Sequence, residues 1–184
     1  MNTLIVYYSN EGSTAKVAEG LAQAAAGTLR RLTVKGTPGL GAIMAALLGL
    51  GARLVDADCD VSGRDVVVLM TPVWAGCPTP AINAFIARTR LRNQRVFFVT
   101  VGVLPANPRA ITTMERRLKR RGAVVIGHTE VLGRQTRAAA ASPDTTSQPA
   151  TPPDPTDEQL TAAGAAIVHL LEASLAPGMD ETDP

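Results

Sequence analysis

The join between the first apolar run and the first run with helical spacing is rich in hydroxyl side chains. In the stretch "SNEGST", Ser9, Ser13 and Thr14 surround Gly12. The first amides of a helix lack intrahelical partners and carry partial positive charge, so such a join can bind an anion without a cation. The stretch contains no lysine, which excludes a phosphate loop of the GxxxxGK[ST] type. The alternative is an ordinary helix start with Ser9 or Asn10 as the N-cap.

A second loop combines several prolines with one large aromatic ring. Trp74, the only tryptophan of the chain, lies in "TPVWAGCPTP" at 71–80. Pro72, Pro78 and Pro80 stiffen this loop, and a rigid loop that presents a flat ring suits stacking on a planar ligand. The alternative is a tryptophan that covers the core from a loop.

Apolar runs and helical spacings alternate along the chain and predict the elements that position these loops. Continuous apolar runs such as 3–8 and 95–102 are typical of strands buried on both faces. Thr156 is a good N-cap for the last helix. The pattern predicts strands at 3–8, 28–34, 65–71, 95–102 and 123–133, the last with a break at Gly127, and helices at 13–26, 79–88, 108–122 and 156–174. This alternation indicates a parallel sheet with helices on both faces.

The same pattern predicts a single domain over residues 1–175. A Pro- and Thr-rich segment at about 136–155 is interpreted as a loop inside that domain, because the helix after it is needed to cover the sheet. Residues 176–184 are expected to form a flexible tail. The strongly apolar segment at 36–55 is interpreted first as a helix that covers the core. The alternative is an apolar lid beside a ligand, or a surface for a partner or a quinone-like substrate.

The composition limits the classes of function. The chain has 184 residues, 46% hydrophobic residues and a net charge of +2, which fits one full core and gives no argument for nucleic acid binding. Two cysteines do not make a disulfide framework, and the two histidines are isolated, so no metal site is expected. No signal sequence and no apolar stretch of about 20 residues is recognisable, which predicts a cytoplasmic protein without a membrane span.

The charge is unevenly spread. Residues 88–121 hold ten of the eighteen basic residues and one acid. This is interpreted as a solvated helix face, with a docking surface for an acidic partner or for nucleotide phosphates as the alternative.

Open parallel sheets bind ligands beyond the carboxyl ends of their strands, at the point where the strand order reverses. The stretches at 9–14, 71–80 and 101–108 each follow a buried strand. We therefore expect these three stretches to lie side by side and to form one site.

The first two motifs together resemble those of the flavodoxin family. The resemblance rests on Ser9, Gly12, Thr14, Val17 and Ala18, and on Thr71, Pro72, Val73, Trp74, Gly76, Pro78, Pro80, Phe85 and Ile86. It implies an α/β, flavodoxin-like three-layer sandwich with a five-stranded parallel sheet in the order 2-1-3-4-5.

The resemblance also implies a cofactor, FMN, and a role for each loop. The first loop would hold the 5′-phosphate through Ser9, Asn10, Glu11, Gly12, Ser13 and Thr14. The second would border the flavin ring through Thr71, Pro72, Val73, Trp74, Ala75 and Gly76, and the third through Val101 and Gly102.

Two departures from the family pattern leave the function open. Glu11 stands where relatives often have threonine, and we expect its carboxylate to point to solvent. The third loop, "VGVLPAN", has no aromatic ring. Three functions follow: an FMN-binding protein that passes electrons to a redox partner protein, an FMN-dependent NAD(P)H (quinone) oxidoreductase, or a flavin-free interaction domain. A homodimer is compatible with each.

Overall fold

The computed structural model describes residues 1–36, 39–55, 57–104, 106–134 and 153–176. The strands are β1 (Thr3–Tyr7), β2 (Thr28–Arg31), β3 (Thr33–Val34), β4 (Leu54–Val55), β5 (Val66–Trp74), β6 (Cys77–Pro78), β7 (Arg95–Gly102) and β8 (Val124–Leu132). The helices are α1 (Ser13–Ala25), α2 (Leu40–Leu47), α3 (Pro80–Arg88), α4 (Pro108–Arg120) and α5 (Asp157–Leu175). Residues 136–152 of the predicted loop and 177–184 of the predicted tail lie outside the described residues.

The five long strands form a parallel sheet in the order β2-β1-β5-β7-β8. In chain order this is 2-1-3-4-5, so the predicted topology is confirmed. The sheet differs from the prediction at one edge, because the predicted strand 28–34 divides into β2 and β3. Leu32 donates its amide to the Tyr7 carbonyl at 2.7 Å, and β3 then pairs with β4 in a separate antiparallel sheet.

Helices cover both faces of the sheet, as predicted. On one face, Val17 and Leu21 of α1 pack with Leu160 and Leu171 of α5 against the strands. On the other face, α3 and α4 cover the strands with Ile82, Phe85, Met114 and Leu118. Thr156 is the N-cap of α5, as predicted, and it is part of a capping box in which Thr156 accepts from the Gln159 amide and the Gln159 side chain accepts from the Thr156 amide.

The contact between α1 and α5 is a backbone contact that depends on two glycines. A Cβ atom on Gly164 would lie 2.0 Å from the Val17 carbonyl oxygen, and one on Gly20 would lie 1.9 Å from the Thr161 carbonyl oxygen. No side chain fits at either position, so the two helices approach as closely as their backbones allow.

The central strand β5 and the edge strand β8 differ from the prediction. β5 continues beyond Thr71 through Pro72, which lies opposite Val101 of β7. β8 passes Gly127 without a break, and a bulge next to Gly127 absorbs one extra residue against β7.

Helix α2 does not cover the core as the first interpretation of 36–55 predicts, although Leu54 of the same segment is buried in the core. In α2, Ala46 is the buried residue, whereas Leu40 is 78% exposed. The reason is that α3 and α4 already cover this face of the sheet, so α2 has no open core surface to fill.

Candidate functional site

The loop between β1 and α1 leaves the first amides of α1 without a side-chain cap. Gly12 is the residue before the helix, and its φ of +92° lies in the left-handed region that favours glycine. Neither Ser9 nor Asn10 is the N-cap, so the helix start differs in this respect from the alternative of a start capped by one of them. The amides at the start of α1 are therefore available to an anion.

Hydroxyl groups converge on this helix start with their oxygens already in use as acceptors. Ser9 Oγ accepts from the Gly12 amide at 3.1 Å, and Ser13 Oγ accepts from the Arg134 amide at 3.3 Å. Because each oxygen is occupied as an acceptor, its hydroxyl hydrogen can be donated to a ligand. Thr14 adds a third hydroxyl and is 2% exposed.

The tryptophan loop is a tight β-hairpin. Trp74 of β5 pairs with Cys77 of β6, and the two residues between them, Ala75 and Gly76, have φ of +48° and +73°. Positive φ at both central residues is the requirement of a type I′ turn, which matches the twist of a hairpin. Sequence reasoning recognised the stiff loop but not the hairpin, although a glycine between two prolines was its signal.

The side chain of Trp74 both packs on the core and borders a cavity. Its ring lies edge-on to Tyr8, with centroids 5.9 Å apart and an interplanar angle of 81°. Burial raises the pKa of the Tyr8 phenol, and the nearby Arg31 partly opposes that rise. The two interpretations of Trp74, a ring against the core and a ring at a ligand, therefore both agree with its position.

Thr71 fixes the base of the hairpin. It is fully buried, and its Oγ1 accepts from the Thr79 amide at 3.1 Å and lies 3.1 Å from Thr79 Oγ1. Thr79 is the N-cap residue of α3. The threonine thus ties the end of β5 to the start of α3 and faces away from the cavity.

The third loop closes the site with apolar groups. Gly133 donates its amide to the Gly102 carbonyl at 2.7 Å, which joins the end of β8 to the end of β7. A Cβ on Gly102 would lie 2.7 Å from the Asn107 side-chain nitrogen, so the loop packs directly on this residue. Beyond it, Val103 and Leu104 are exposed.

One cavity of about 670 Å³ brings the three loops together. The predicted residues that line it are Ser9, Asn10, Glu11, Ser13, Thr14, Pro72, Val73, Trp74, Ala75, Val101 and Gly102. Three predicted residues do not line it: Gly12, Thr71 and Gly76 shape the loops instead. Glu11 is exposed, as expected, and lies at the cavity surface.

Six further residues line the cavity: Val103, which lies in the predicted third stretch but was not named, and five outside the predicted stretches, Gly39, Leu40, Ile43, Gly133 and Arg134. Leu40 and Ile43 bring α2 to the cavity, in agreement with the alternative of an apolar segment beside a ligand. The signal for Arg134 was its place just after the fifth strand, at the same sheet edge as the other loops.

Arg134 places a positive charge next to the hydroxyl loop. Its Nε donates to the Pro155 carbonyl at 2.9 Å, and its Nη2 pairs with the Asp157 carboxylate at the start of α5. Hydrogen bonding and charge from Arg134, with a smaller contribution from Lys16, lower the pKa of Asp157. The guanidinium is thereby held at the start of α5, while Arg134 itself is one of the residues that line the cavity.

Among the described residues, no group of three or more His, Cys, Asp and Glu side chains could hold a metal ion. Within the same residues, no helix combines the length and apolar character that crossing a membrane requires.

Comparisons with known proteins agree with this architecture. No protein-family model and no curated protein sequence matches the chain. A flavoprotein in complex with FMN from Lactobacillus acidophilus NCFM is similar in structure, with 21% identity and a TM-score of 0.62 over 70% of this chain and 92% of that one. A WrbA-like flavodoxin from Agrobacterium tumefaciens is similar with 14% identity and a TM-score of 0.52, covering 94% of this chain and 98% of that one.

A third structure extends the likeness to a further flavodoxin. Flavodoxin 1 from Bacillus cereus, in its oxidised form, has 14% identity and a TM-score of 0.51, covering 92% of this chain and 98% of that one. At these identities the likeness concerns the fold. Together with the strand order and the helices on both faces, it shows that the chain has a flavodoxin-like fold.

Proposed function

We propose that this protein binds FMN and transfers electrons through the bound flavin. The observation that carries the proposal is the composition of one cavity, which has a hydroxyl-lined helix start at one end and a tryptophan hairpin at another part of its wall. A volume of about 670 Å³ is within the usual range for cofactor sites. Several solved structures of the same fold are flavoproteins, one of them in complex with FMN.

The polar end fits a phosphate dianion. The free amides of α1 and the hydroxyls of Ser9, Ser13 and Thr14 are all donors, and Arg134 adds charge. Hydrogen bonds from such donors to an ionised acceptor are about twice as strong as neutral ones. Glu11 does not oppose this role, because its exposed carboxylate can remain in water.

The apolar part of the cavity fits the isoalloxazine ring. Trp74, Pro72 and Val101 offer flat or compact apolar surface, while the turn at Ala75 exposes backbone groups for the polar edge of the ring. When bound, the flavin itself supplies the redox chemistry, and the protein sets its orientation and surroundings.

The test is an absorbance spectrum of the purified protein, followed by titration with FMN and with riboflavin. We expect FMN to bind at least about a hundredfold more tightly than riboflavin, because riboflavin lacks the phosphate that the polar end would hold. Trp74→Ala removes the ring, and we expect it to weaken the binding of both ligands by about tenfold. The control Thr112→Val, on the exposed face of α4, is expected to leave both affinities unchanged.

Equal affinity for FMN and riboflavin would remove the phosphate role from the proposal. Absence of FMN binding at micromolar concentration would overturn the redox function and leave the third function, a flavin-free interaction domain.

The apolar wall of the cavity favours a second candidate function, an FMN-dependent NAD(P)H (quinone) oxidoreductase. Leu40 is 78% exposed and Val103 is 37% exposed, so the cavity offers uncovered apolar surface next to the proposed ring site. Steady-state consumption of NAD(P)H with a quinone would support this candidate. An FMN-loaded protein that consumes neither nucleotide with any acceptor would instead favour transfer to a redox partner protein.

A further inference from the structure

The segment around α2 is apolar along its whole length and exposed. Residues 39–52 contain no polar or charged side chain. Met44 is 49% exposed, Leu48 is 68% exposed and Leu50 is 55% exposed. An apolar helix is normally buried, and a patch of this kind on a soluble domain usually marks an interaction site. Leu40, Ile43, Met44, Leu48 and Leu50 are called the α2 surface below.

Basic side chains of α4 lie beside the end of the α2 segment. Arg117 of α4 donates from Nη1 to the Gly49 carbonyl at 3.1 Å, which fixes α4 beside the end of the α2 segment. Burial, together with the neighbouring Arg116 and Arg120, lowers the pKa of the Arg117 guanidinium. Arg116 and Arg120 are themselves exposed next to it.

The acids in the neighbourhood do not neutralise this charge. Glu115 of α4 lies 3.7 Å from Lys119 and 3.8 Å from His128 of β8, so its carboxylate is directed to the sheet side of the helix. The sequence from Lys35 to Val55 carries Lys35 and Arg53 and no acid. Glu11 is the acidic residue that lines the cavity together with Leu40.

The exposed apolar side chains and the nearby basic charges together favour one kind of occupant of the α2 surface over others. A second copy of the chain would bring Arg116 and Arg120 against like charges, which disfavours a symmetric dimer through this face. A protein partner normally uses polar groups for register and specificity, and residues 39–52 offer no polar side chain for that purpose. A lipid surface needs only apolar side chains for the acyl boundary and basic side chains for anionic head groups.

We propose that the α2 surface docks on an anionic lipid surface, with Leu48 and Leu50 entering the acyl boundary and Arg116 and Arg120 contacting the head groups. The docking would be peripheral, because α2 has eight residues. Since Leu40 and Ile43 also line the cavity, the mouth of the cavity would then face the lipid. This inference does not depend on FMN binding.

The test is co-sedimentation of the full-length protein with vesicles of phosphatidylcholine alone and with added phosphatidylglycerol, with and without FMN. We expect binding to the anionic vesicles that weakens as salt is raised, and little binding to the zwitterionic ones. The variant Leu48→Ser/Leu50→Ser is expected to reduce partitioning by at least about tenfold, because it removes the inserted apolar surface. The variant Arg116→Gln/Arg120→Gln is expected to reduce it by about tenfold as well.

Matched controls separate docking from general loss of apolar surface or charge. Leu170→Ser removes a side chain that is 48% exposed on α5, and Arg90→Gln/Arg92→Gln removes two exposed charges in the loop between α3 and β7, outside the α2 surface. Both controls are expected to partition like the unmodified protein. No binding to anionic vesicles at low salt would overturn the proposal. A dimer in analytical ultracentrifugation that dissociates in Leu48→Ser/Leu50→Ser would also overturn it and identify a second copy as the occupant.

Discussion

The cavity has two walls that are built in opposite ways. The wall formed by the start of α1 is polar and largely buried, and the helix behind it is locked to α5 by backbone contact at Gly20 and Gly164. The wall formed by α2 is apolar and exposed, and glycines such as Gly41 have no heavy atom within 4 Å of a Cβ position.

The two walls are suited to different kinds of interaction. Donor groups that bind an anion need fixed directions, and the close packing of α1 on α5 supplies a rigid support for them. Apolar contact is non-directional, so α2 can serve a ligand or a surface without such support. The buried wall and the exposed wall therefore correspond to directional and non-directional contacts.

The largest expected effect tests the rigidity of the first wall. Gly164→Ala places a methyl group against the Val17 carbonyl, and we expect it to lower the free energy of unfolding by about 3 kcal/mol, since neither backbone can retreat. The matched change Gly41→Ala in α2 is expected to stabilise the protein by roughly 0.5–1 kcal/mol through helix propensity. Urea denaturation followed by circular dichroism measures both. Equal effects at the two glycines would contradict the contrast between the walls.

The second prediction concerns the directional donors. Thr14→Val keeps the size of a side chain that is 2% exposed and removes its hydroxyl. We expect FMN affinity to fall by about ten- to a hundredfold, because a hydrogen bond to a charged group is lost. Riboflavin affinity serves as the control and should stay constant. A parallel loss for both ligands would show that Thr14 acts on the loop as a whole.

The third prediction concerns the charge beside that wall. Arg134→Gln is expected to lower FMN affinity by about tenfold and to make it less sensitive to salt, because a charged contact to the phosphate is lost. The control Arg90→Gln removes an exposed charge in the loop between α3 and β7. Fluorescence titration of both variants with FMN at low and high ionic strength measures the affinity and its sensitivity to salt. An unchanged salt dependence in Arg134→Gln would assign Arg134 to the pairing with Asp157 alone.

The smallest effect is expected on the second wall. Leu40 is 78% exposed, so Leu40→Ser removes little buried area and should reduce FMN affinity by about threefold or less, with the same reduction for riboflavin. Isothermal titration with both ligands checks this. A loss that is confined to FMN would mean that α2 contributes to the phosphate end, contrary to the contrast drawn here.

Local pattern sufficed for the strand order of the sheet and for placing the three loops at one edge of it. Continuous apolar runs identified the buried strands, and Thr156 with Gln159 identified the start of α5, because these signals lie within a few residues of each other. Arg134 was missed because its link to the site is a hydrogen bond to Ser13, 121 residues earlier in the chain. The sequence left the exposure of α2 open as an alternative, because an apolar segment has the same composition whether it covers a core or faces outward.

Pro72 determines how a ligand can reach the sheet edge. A proline donates no backbone hydrogen bond, so β5 lacks one backbone donor at Pro72, which lies opposite Val101 of β7. Both residues line the cavity, and a planar group can lie over the strand ends there without displacing a hydrogen bond from that donor. In amide hydrogen exchange, the residues of β5 before Pro72 should therefore exchange through global unfolding, whereas those after it should respond to occupancy of the cavity.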